Sequence, residues 1–214
     1  MLEINEFSVP FYGFEWEDAD KHKDRLKEIC HLLEQNNSTS GVAPGAKHGL
    51  YESAFNFLNL EDPSVTALAD FVNRSIWASA SKANEGKWDA GMQLAVKVHE
   101  SWCHICRPGA HHDKHIHGNS SWSCIYYIDV GDSDNETKNG LTRFYNALNS
   151  SYFDMGTMWM TAKSSIDINN KDGLLLVFPS FIYHSQLPYT SEEGKNRYVV
   201  AANSKIVEVK NDRD

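Results

Sequence analysis

The sequence lacks any long apolar run, which excludes a protein with transmembrane helices. No stretch is apolar enough to span a bilayer, and the first six residues lack the basic and apolar regions of a signal peptide. Cysteine is also scarce, with four residues in 214, and a chain without an export signal keeps its thiols reduced. We therefore expect a cytoplasmic protein with free cysteines.

Positive charge is in deficit as well. The chain has 20 lysines and arginines against 29 aspartates and glutamates, which gives a formal net charge of -9. A duplex-binding protein normally carries a basic stripe that displaces counterions from phosphates, and no such stripe is seen. With 41% hydrophobic and 23% charged residues, the composition is that of a folded domain. We expect one domain over residues 1–214 and no nucleic-acid-binding surface.

The first part of the chain, residues 1–90, has the pattern of helices and loops. Apolar residues three and four apart predict an amphipathic helix over Asp18–Glu34. Residues 41–49 have the composition of a loop. A second helix is predicted to begin after Asp62, because Pro63 suits a first helical turn. We expect this part to be a helical support.

From about Gly91 the pattern changes to strands separated by polar turns. Apolar and polar residues alternate over 94–99, and β-branched or aromatic residues dominate 123–130, 173–179 and 197–207. No helical pattern lies between these runs. Many short strands joined by turns predict a sandwich or a jelly roll over residues 91–210.

A histidine-rich segment between Arg107 and Gly118 carries the clearest chemical signal. His111, Asp113, His115 and His117 share parity, so on an extended strand their side chains point to one face. Two imidazoles spaced two residues apart can reach one metal ion. The third ligand must come from a distant strand, and His184, after a buried-looking strand, is the natural candidate. Imidazole suits iron, copper, nickel and zinc alike, so the ligand type does not select the metal.

An arginine after the third histidine suggests a second component of the site. Arg197 lies thirteen residues after His184, at the head of the last predicted strand. A guanidinium on a strand beside the metal can hold a ligand carboxylate through two parallel hydrogen bonds. A rival pattern is a zinc site made by Cys103 and Cys106 with His111 or His115. The histidines of this pattern follow the cysteines too closely in sequence for a structural zinc finger.

Together these segments resemble the Fe(II)- and 2-oxoglutarate-dependent oxygenases, and most closely a small branch of them found in marine bacteria and phages. The family's tryptophan, glycine turn, His-x-His and Tyr-Tyr strand appear in order within 101–128. Its Phe-Pro-Ser strand ending in histidine appears over 173–184. Its arginine strand closing in asparagine appears over 197–203. A more distant resemblance is to the prolyl hydroxylases, whose strand also reads Ile-Tyr-Tyr.

The resemblance implies a double-stranded β-helix (a jelly roll, as in cupins) and a role for each site residue. His115, His117 and His184 would bind Fe(II), with His117 at the position usually filled by a carboxylate. Arg197 and Tyr127 would hold the distal carboxylate of 2-oxoglutarate. The implied activity is a dioxygenase that hydroxylates a small-molecule or peptidyl substrate, or an amino-acid side chain, and releases succinate and CO₂. A homodimer is compatible with this interpretation.

Several alternatives stay open at this point. Asp113 could replace one histidine, or His111 and Asp113 could themselves form the His-x-Asp pair. The protein could instead be a three-histidine cupin-type dioxygenase that does not use 2-oxoglutarate, or a non-catalytic binding module on the same fold. The loops expected to select the substrate, residues 131–140 and 150–170, carry no readable code.

Overall fold

A computed structural model describes residues 9–40, 47–89, 91–146 and 164–209. Over these residues the chain forms one curled antiparallel sheet with two α-helices. The helices are α1 (Ala19–Gln35) and α2 (Pro63–Ala83). The strands are β1 (Tyr12–Glu15), β2 (Lys47–Glu52), β3 (Leu94–His115), β4 (Trp122–Asp129), β5 (Thr142–Tyr145), β6 (Ser165–Ile168), β7 (Leu174–Pro179), β8 (His184–Gln186) and β9 (Arg197–Glu208).

The sheet is held together by two long strands, β3 and β9. Its order is β1-β7-β4-β9-β3-β8-β5-β6, with β2 paired to β3 off this path. The first half of β3 pairs with β9, whereas its second half pairs with β2 and β8. One strand therefore changes partners along its length, which curls the sheet toward a barrel. The prediction of a mainly β chain with N-terminal helices and a double-stranded β-helix is confirmed.

Both predicted helices are present, and each begins within one residue of its predicted start. Helix α1 runs from Ala19, one residue after the predicted start. Helix α2 begins at Pro63, and the Asp62 side chain accepts a hydrogen bond from the Ser64 N–H at 2.8 Å. This cap satisfies one of the free N–H groups of the first turn, and proline at the first position loses no hydrogen bond there.

The core lies on both sides of the sheet, and strand parity decides which side a residue faces. On β4, Cys124 and Tyr126 pack against the helices. The residues between them, Ile125 and Tyr127, belong to a second cluster on the concave side. Because alternate side chains point to opposite faces, the same parity governs β3, β7 and β9. The concave side is where the polar residues described below converge.

The N-terminal part contains two strands that the sequence does not predict. Strand β1 pairs with β7, and Lys47–Glu52 forms β2, so the loop predicted over residues 41–49 is wrong at its end. A β-bulge between His48 and Leu50 disrupts the alternation that identifies a strand. Residues 41–46 and most of the predicted loop 150–170, with its aromatic residues Tyr152, Phe153 and Trp159, lie outside the described residues.

Two expectations from composition can be compared with the structure. The four cysteines are buried and free, as predicted. Over the described ranges, neither helix has the length and apolar character that crossing a membrane requires.

Candidate functional site

Three histidines from two neighbouring strands converge on the concave side of the sheet. His115 ends β3 and is the cross-strand partner of His184, the first residue of β8. His117 follows two residues after His115. Each offers one ring nitrogen, and these nitrogens all lie within 4.8 Å of one another. The ring centroids of His115 and His184 are 4.3 Å apart. The structure therefore brings together the three residues that the sequence singles out as metal ligands.

Backbone carbonyls hold two of these imidazoles in the tautomer that a metal needs. The Nδ1–H of His115 donates to the Asp113 carbonyl at 2.7 Å, and the Nδ1–H of His184 donates to the Ile182 carbonyl at 3.1 Å. A carbonyl oxygen can only accept, so the proton sits on Nδ1 in both rings. Each Nε2 then presents its lone pair to the shared centre, which is the arrangement seen in histidine metal sites.

His117 is held by a side chain instead. The Asn203 Nδ2 atom lies 3.3 Å from His117 Nδ1 and also donates to Glu100 Oε2 at 2.9 Å. In this orientation the amide donates to His117, so Nε2 carries the proton and faces His184 Nε2 at 3.3 Å. A 180° rotation of the amide would place its oxygen against Nδ1, move the proton there and free Nε2 for a metal.

Burial keeps all three rings neutral. It lowers the pKa of His115 and holds the pKa of His184 well below its usual value. Burial, with repulsion from His115 in its protonated form, lowers the pKa of His117 to about 3. A protonated imidazole has no lone pair, so neutrality at pH 7 is the state that binds a metal ion.

Arg197 is buried in the same cavity and lacks a carboxylate partner among the described residues. Its side chain is 2% exposed. Its Nη1–H donates to Gln186 Oε1 at 3.1 Å and approaches Cys106 Sγ at 3.7 Å, and Nε–H has no partner. A buried guanidinium without a counter-ion is costly unless a ligand supplies the negative charge. The three histidines and Arg197 line one cavity.

Tyr127 packs behind the arginine. It is fully buried, its ring centroid lies 5.3 Å from the Arg197 guanidinium carbon, and its hydroxyl is 2.7 Å from Thr142 Oγ1. Thr142 lines the cavity, whereas Tyr127 does not. The structure therefore places Tyr127 beside the predicted carboxylate-binding arginine, with the Thr142 side chain between its hydroxyl and the cavity.

The cavity also contains histidines that the sequence reasoning did not select. His104 lines it, and its Nε2 lies 2.9 Å from Glu52 Oε2, which in turn pairs with Lys47. His112 stacks on His115 with ring centroids 3.8 Å apart. The alternation along β3 could have identified His104, because it is two residues from Trp102 and therefore shares its face. Both side chains line the cavity. Its partner Glu52 lies 52 residues away, and nothing in the sequence links the two.

The alternative ligand sets are separated from this cavity. His111 and Asp113 do not line it, and they form a different group with His48. The prediction that they share a face with His115 and His117 is wrong, because the register shifts between His112 and His115. The zinc pattern fails as well, because the groups of metal-ligand type among the described residues contain no cysteine. Cys103 faces the helix-side core, whereas Cys106 lies beside Arg197 on the other side of the sheet.

Comparison with known proteins gives one family and one fold. The sequence model of the family described as "Putative 2OG-Fe(II) oxygenase" matches residues 100–203. No curated protein sequence matches the chain. Among solved structures, a prolyl-4-hydroxylase of Pseudomonas putida is 16% identical, with a TM-score of 0.54 over 92% of each chain. A prolyl hydroxylase of Trichoplax adhaerens, in complex with a peptide fragment, is 13% identical, with a TM-score of 0.59 over 91% of this chain and 82% of its own.

At such identities the solved structures show that the fold is shared, whereas the similarity to the family rests on residues 100–203. The expected cofactors, Fe(II) and 2-oxoglutarate, are those for which this family is named. The segment contains His115, His117, His184 and Arg197 on the strands where the fold brings them together. Over residues 100–203, just under half of its length, the chain is therefore similar to the 2OG-Fe(II) oxygenases.

Proposed function

We propose that this protein is a 2-oxoglutarate-dependent oxygenase, a dioxygenase that hydroxylates a C–H bond of its substrate and converts 2-oxoglutarate to succinate and CO₂. The observation that carries the proposal is the buried Arg197, which lacks a carboxylate partner among the described residues and shares its cavity with three neutral imidazoles. A metal site alone would not need this charge. A dicarboxylate that reaches from the metal to the guanidinium would use both.

His115, His117 and His184 would hold Fe(II) through their Nε2 atoms. Iron with chelated 2-oxoglutarate supplies the activation of O₂ that hydroxylation requires. Two backbone carbonyls fix the His115 and His184 rings in advance, whereas His117 would bind through Nε2 once the Asn203 amide has turned its oxygen toward Nδ1. Three ligands leave coordination positions open for the cosubstrate and O₂.

Arg197 would bind the distal carboxylate of 2-oxoglutarate. Gln186 and Cys106 hold Nη1, so the guanidinium is oriented before a ligand arrives, and Nε–H is left as a free donor. In a site shielded from water such a charge-assisted hydrogen bond is stronger than at the surface. The Tyr127 ring fixes the guanidinium from behind, and its hydroxyl positions Thr142 at the cavity wall.

Apolar side chains on the sheet would keep bulk water from the reacting atoms. Trp102, Ile125, Val199 and Ala201 line the cavity beside the polar residues. An apolar lining that excludes water protects the site from side reactions and strengthens the electrostatic contacts inside it.

A peptidyl or amino-acid side chain is the proposed substrate class. Two residues next to the central histidines in sequence have large exposed side chains, with Tyr183 45% exposed and Ile116 42% exposed. Lys114 lies over the Tyr145 and Tyr183 rings, 4.6 Å from each centroid. Apolar and aromatic groups with a fixed cation suit an extended peptide better than a small charged metabolite. The Trichoplax protein, which has a similar fold, was solved with a peptide fragment.

The test is anaerobic addition of Fe(II) and 2-oxoglutarate to the metal-stripped protein. We expect a visible charge-transfer band that requires both reagents. His184→Ala should abolish the band because a ligand is lost. Arg197→Ala should require at least tenfold more 2-oxoglutarate to reach the same intensity, since a buried charge-assisted hydrogen bond contributes ~1.5–3 kcal/mol. Arg107→Ala is the matched control, because Arg107 is exposed and pairs with Glu34.

One observation favours a second candidate function, and the same experiment separates the two. No aspartate or glutamate lines the cavity over the described residues, as in a cupin-type dioxygenase that oxidises a chelating substrate directly. If the wild type and Arg197→Ala both bind metal tightly and neither shows a band that depends on 2-oxoglutarate, the cupin-type dioxygenase becomes the better interpretation. Absence of metal binding would leave a non-catalytic binding module.

A further inference from the structure

A second group of metal-ligand side chains lies on the paired strands β2 and β3, outside the cavity just described. His48, His111 and Asp113 each offer one donor atom, and these atoms all lie within 4.8 Å of one another. None of the three lines the cavity of the central histidines. We propose that this group is a second metal site, which takes a divalent cation of borderline hardness such as Zn(II).

Two paired strands, rather than a loop, position these side chains. His48 on β2 is the cross-strand partner of His111 on β3, and Asp113 is two residues further along β3. Directly paired residues, and residues two apart on one strand, project from the same face of a sheet. Two ligands therefore come from one strand and the third from its neighbour, at spacings set by the sheet.

A bulge in β2 aims His48 at the group. The register shifts between His48 and Leu50, and Gly49 between them has φ +64°. A Cβ at this glycine would lie 3.3 Å from the Ala110 Cα, so the close approach of the two strands requires a residue without a side chain. Bulges commonly re-aim a side chain next to a functional site.

The distances leave room for an ion. His48 Nε2 lies 3.5 Å from Asp113 Oδ2, and His111 Nε2 lies 4.0 Å from Asp113 Oδ1. Both exceed the usual hydrogen-bond length of ~2.7–3.2 Å. Ligand atoms ~2.0–2.1 Å from a tetrahedral zinc are ~3.3 Å apart, so only small side-chain rotations are needed. The two imidazole rings are already stacked, with centroids 4.2 Å apart.

The donor set selects the class of cation. Two imidazole nitrogens and one carboxylate oxygen suit Zn(II), Ni(II), Co(II) or Cu(II), whereas Mg(II) and Ca(II) prefer oxygen ligands throughout. The side chains of His48 and Asp113 are 47% and 57% exposed, so water can complete the coordination. The central site differs, because its three ligands are imidazoles and are more deeply buried.

A cation at this position would fix the strand segment that carries the central site. His112, between the two peripheral ligands on β3, points to the opposite side and stacks on His115. The metal would therefore join β2 to the part of β3 that positions His115. Its role is to hold β2 and β3 in register, without contact with the reacting atoms.

Zinc counting by equilibrium dialysis of the metal-stripped full-length protein tests the proposal. We expect two equivalents of Zn(II) for the wild type and one for His48→Ala and for His111→Ala. His184→Ala should lose the other equivalent, and the double variant His48→Ala, His184→Ala should lose both. His22→Ala is the control and should keep two, because His22 contacts Ser64 and Trp16 away from both groups.

The proposal fails if His48→Ala and His111→Ala bind as much zinc as the wild type, or if the wild type binds at most one equivalent. Asp113→Asn provides a milder variant, which should weaken the second site at least tenfold if either alanine variant unfolds, as judged by circular dichroism. The dialysis does not depend on 2-oxoglutarate. A missing Fe(II)–2-oxoglutarate band would therefore overturn the proposed activity but not the second metal site, which the number of bound zinc ions tests separately.

Discussion

Asn203 determines how His117 can act, although it touches no other ring of the central group. Its amide nitrogen faces His117 Nδ1, and its oxygen accepts a hydrogen bond from Ser123 Oγ at 2.8 Å. Ser123 Oγ is also 2.8 Å from Ser180 Oγ. The orientation of His117 therefore rests on a buried polar network, in which the removal of one member leaves others without partners.

Asn203→Leu is expected to weaken metal binding ~10–100-fold, the usual cost of losing the partner that orients a metal-binding histidine. The substituted side chain fills similar space and cannot hold the His117 ring in either tautomer. Fe(II) affinity, measured anaerobically by competition with a chromophoric chelator, is the appropriate readout.

Ser123→Ala is the matched control, because it removes a hydroxyl from the same network and leaves the amide beside His117. Its effect should be several-fold smaller. Equal affinities for Asn203→Leu and the wild type would show that His117 is not held through Asn203, and would favour metal binding by His115 and His184 with fewer protein ligands.

The residues with a strand-parity signal are those that the sequence could identify. His115, at the end of β3, and His117, two residues later, line one cavity with His184 and Arg197. Their roles as ligands stay a prediction. Glu52 and Asn203 have no comparable signal, because their importance depends on contacts with His104 and His117 across the sheet. An isolated glutamate or asparagine is usually a solvated surface residue.

Strand β2 is tied to β3 by a buried polar network. Glu52 is the cross-strand partner of His104, accepts a hydrogen bond from its ring and pairs with Lys47 from the start of the same strand. Burial alone would raise the pKa of Glu52. The hydrogen bonds from His104 and Lys47 outweigh burial and lower that pKa to about 2.

Glu52→Gln should change how stability depends on pH. A carboxyl whose pKa is lowered by folding stabilises the protein above its unfolded pKa of about 4.5, and the contribution is lost as pH falls toward the folded pKa of about 2. The free energy of unfolding of the wild type should therefore fall toward that of the variant by ~2 kcal/mol between pH 6 and pH 3.

Urea denaturation of both proteins at several pH values measures this difference. Glu61→Gln, which removes an exposed carboxyl next to the second helix, is the control and should follow the wild type. A constant difference between wild type and Glu52→Gln across the range would mean that Glu52 has its ordinary pKa in the folded protein.

Elements were predictable where a local signal is strong. Pro63 after Asp62 marked the start of α2, and alternation or β-branched runs marked β4, β7 and β9. Strands β1 and β2 were missed because one has only four residues and the other contains a bulge. Both depend on pairing with strands far along the chain, a tertiary effect that often overrides local pattern.

At the scale of the molecule, the site joins segments that are distant in sequence. The cavity takes its residues from β3, β4, β5, β8 and β9, so its ligands would connect strands from the middle and the end of the chain. The alternating pattern predicts the class of fold, since parity alone gives each strand an inner and an outer face. The change of partner along β3 could not be predicted, because it depends on how the whole sheet curls.

Because the cavity spans these strands, ligand binding should stabilise the whole fold. A ligand that binds only the folded state adds RT ln(1 + [L]/Kd), or ~2.7 kcal/mol at a hundredfold excess over Kd. For a chain of this size ~1 kcal/mol raises Tm by ~2–4 °C. Anaerobic Fe(II) and 2-oxoglutarate, each at a hundredfold excess over its Kd, should therefore raise Tm by at least ~5 °C, with a further increment from the second ligand.

Two variants separate the increase in Tm that is due to Fe(II) from the increase that is due to 2-oxoglutarate. Arg197→Ala should keep the increment from Fe(II) and lose most of the increment from 2-oxoglutarate, whereas His184→Ala should lose both, because the cosubstrate chelates through the metal. Succinate, which retains the distal carboxylate but lacks the keto acid, should give a smaller rise that also depends on Arg197. An equal 2-oxoglutarate increment in wild type and Arg197→Ala would mean that the buried guanidinium does not bind the carboxylate. The charge of Arg197 would then have to be balanced by a different ligand in this cavity.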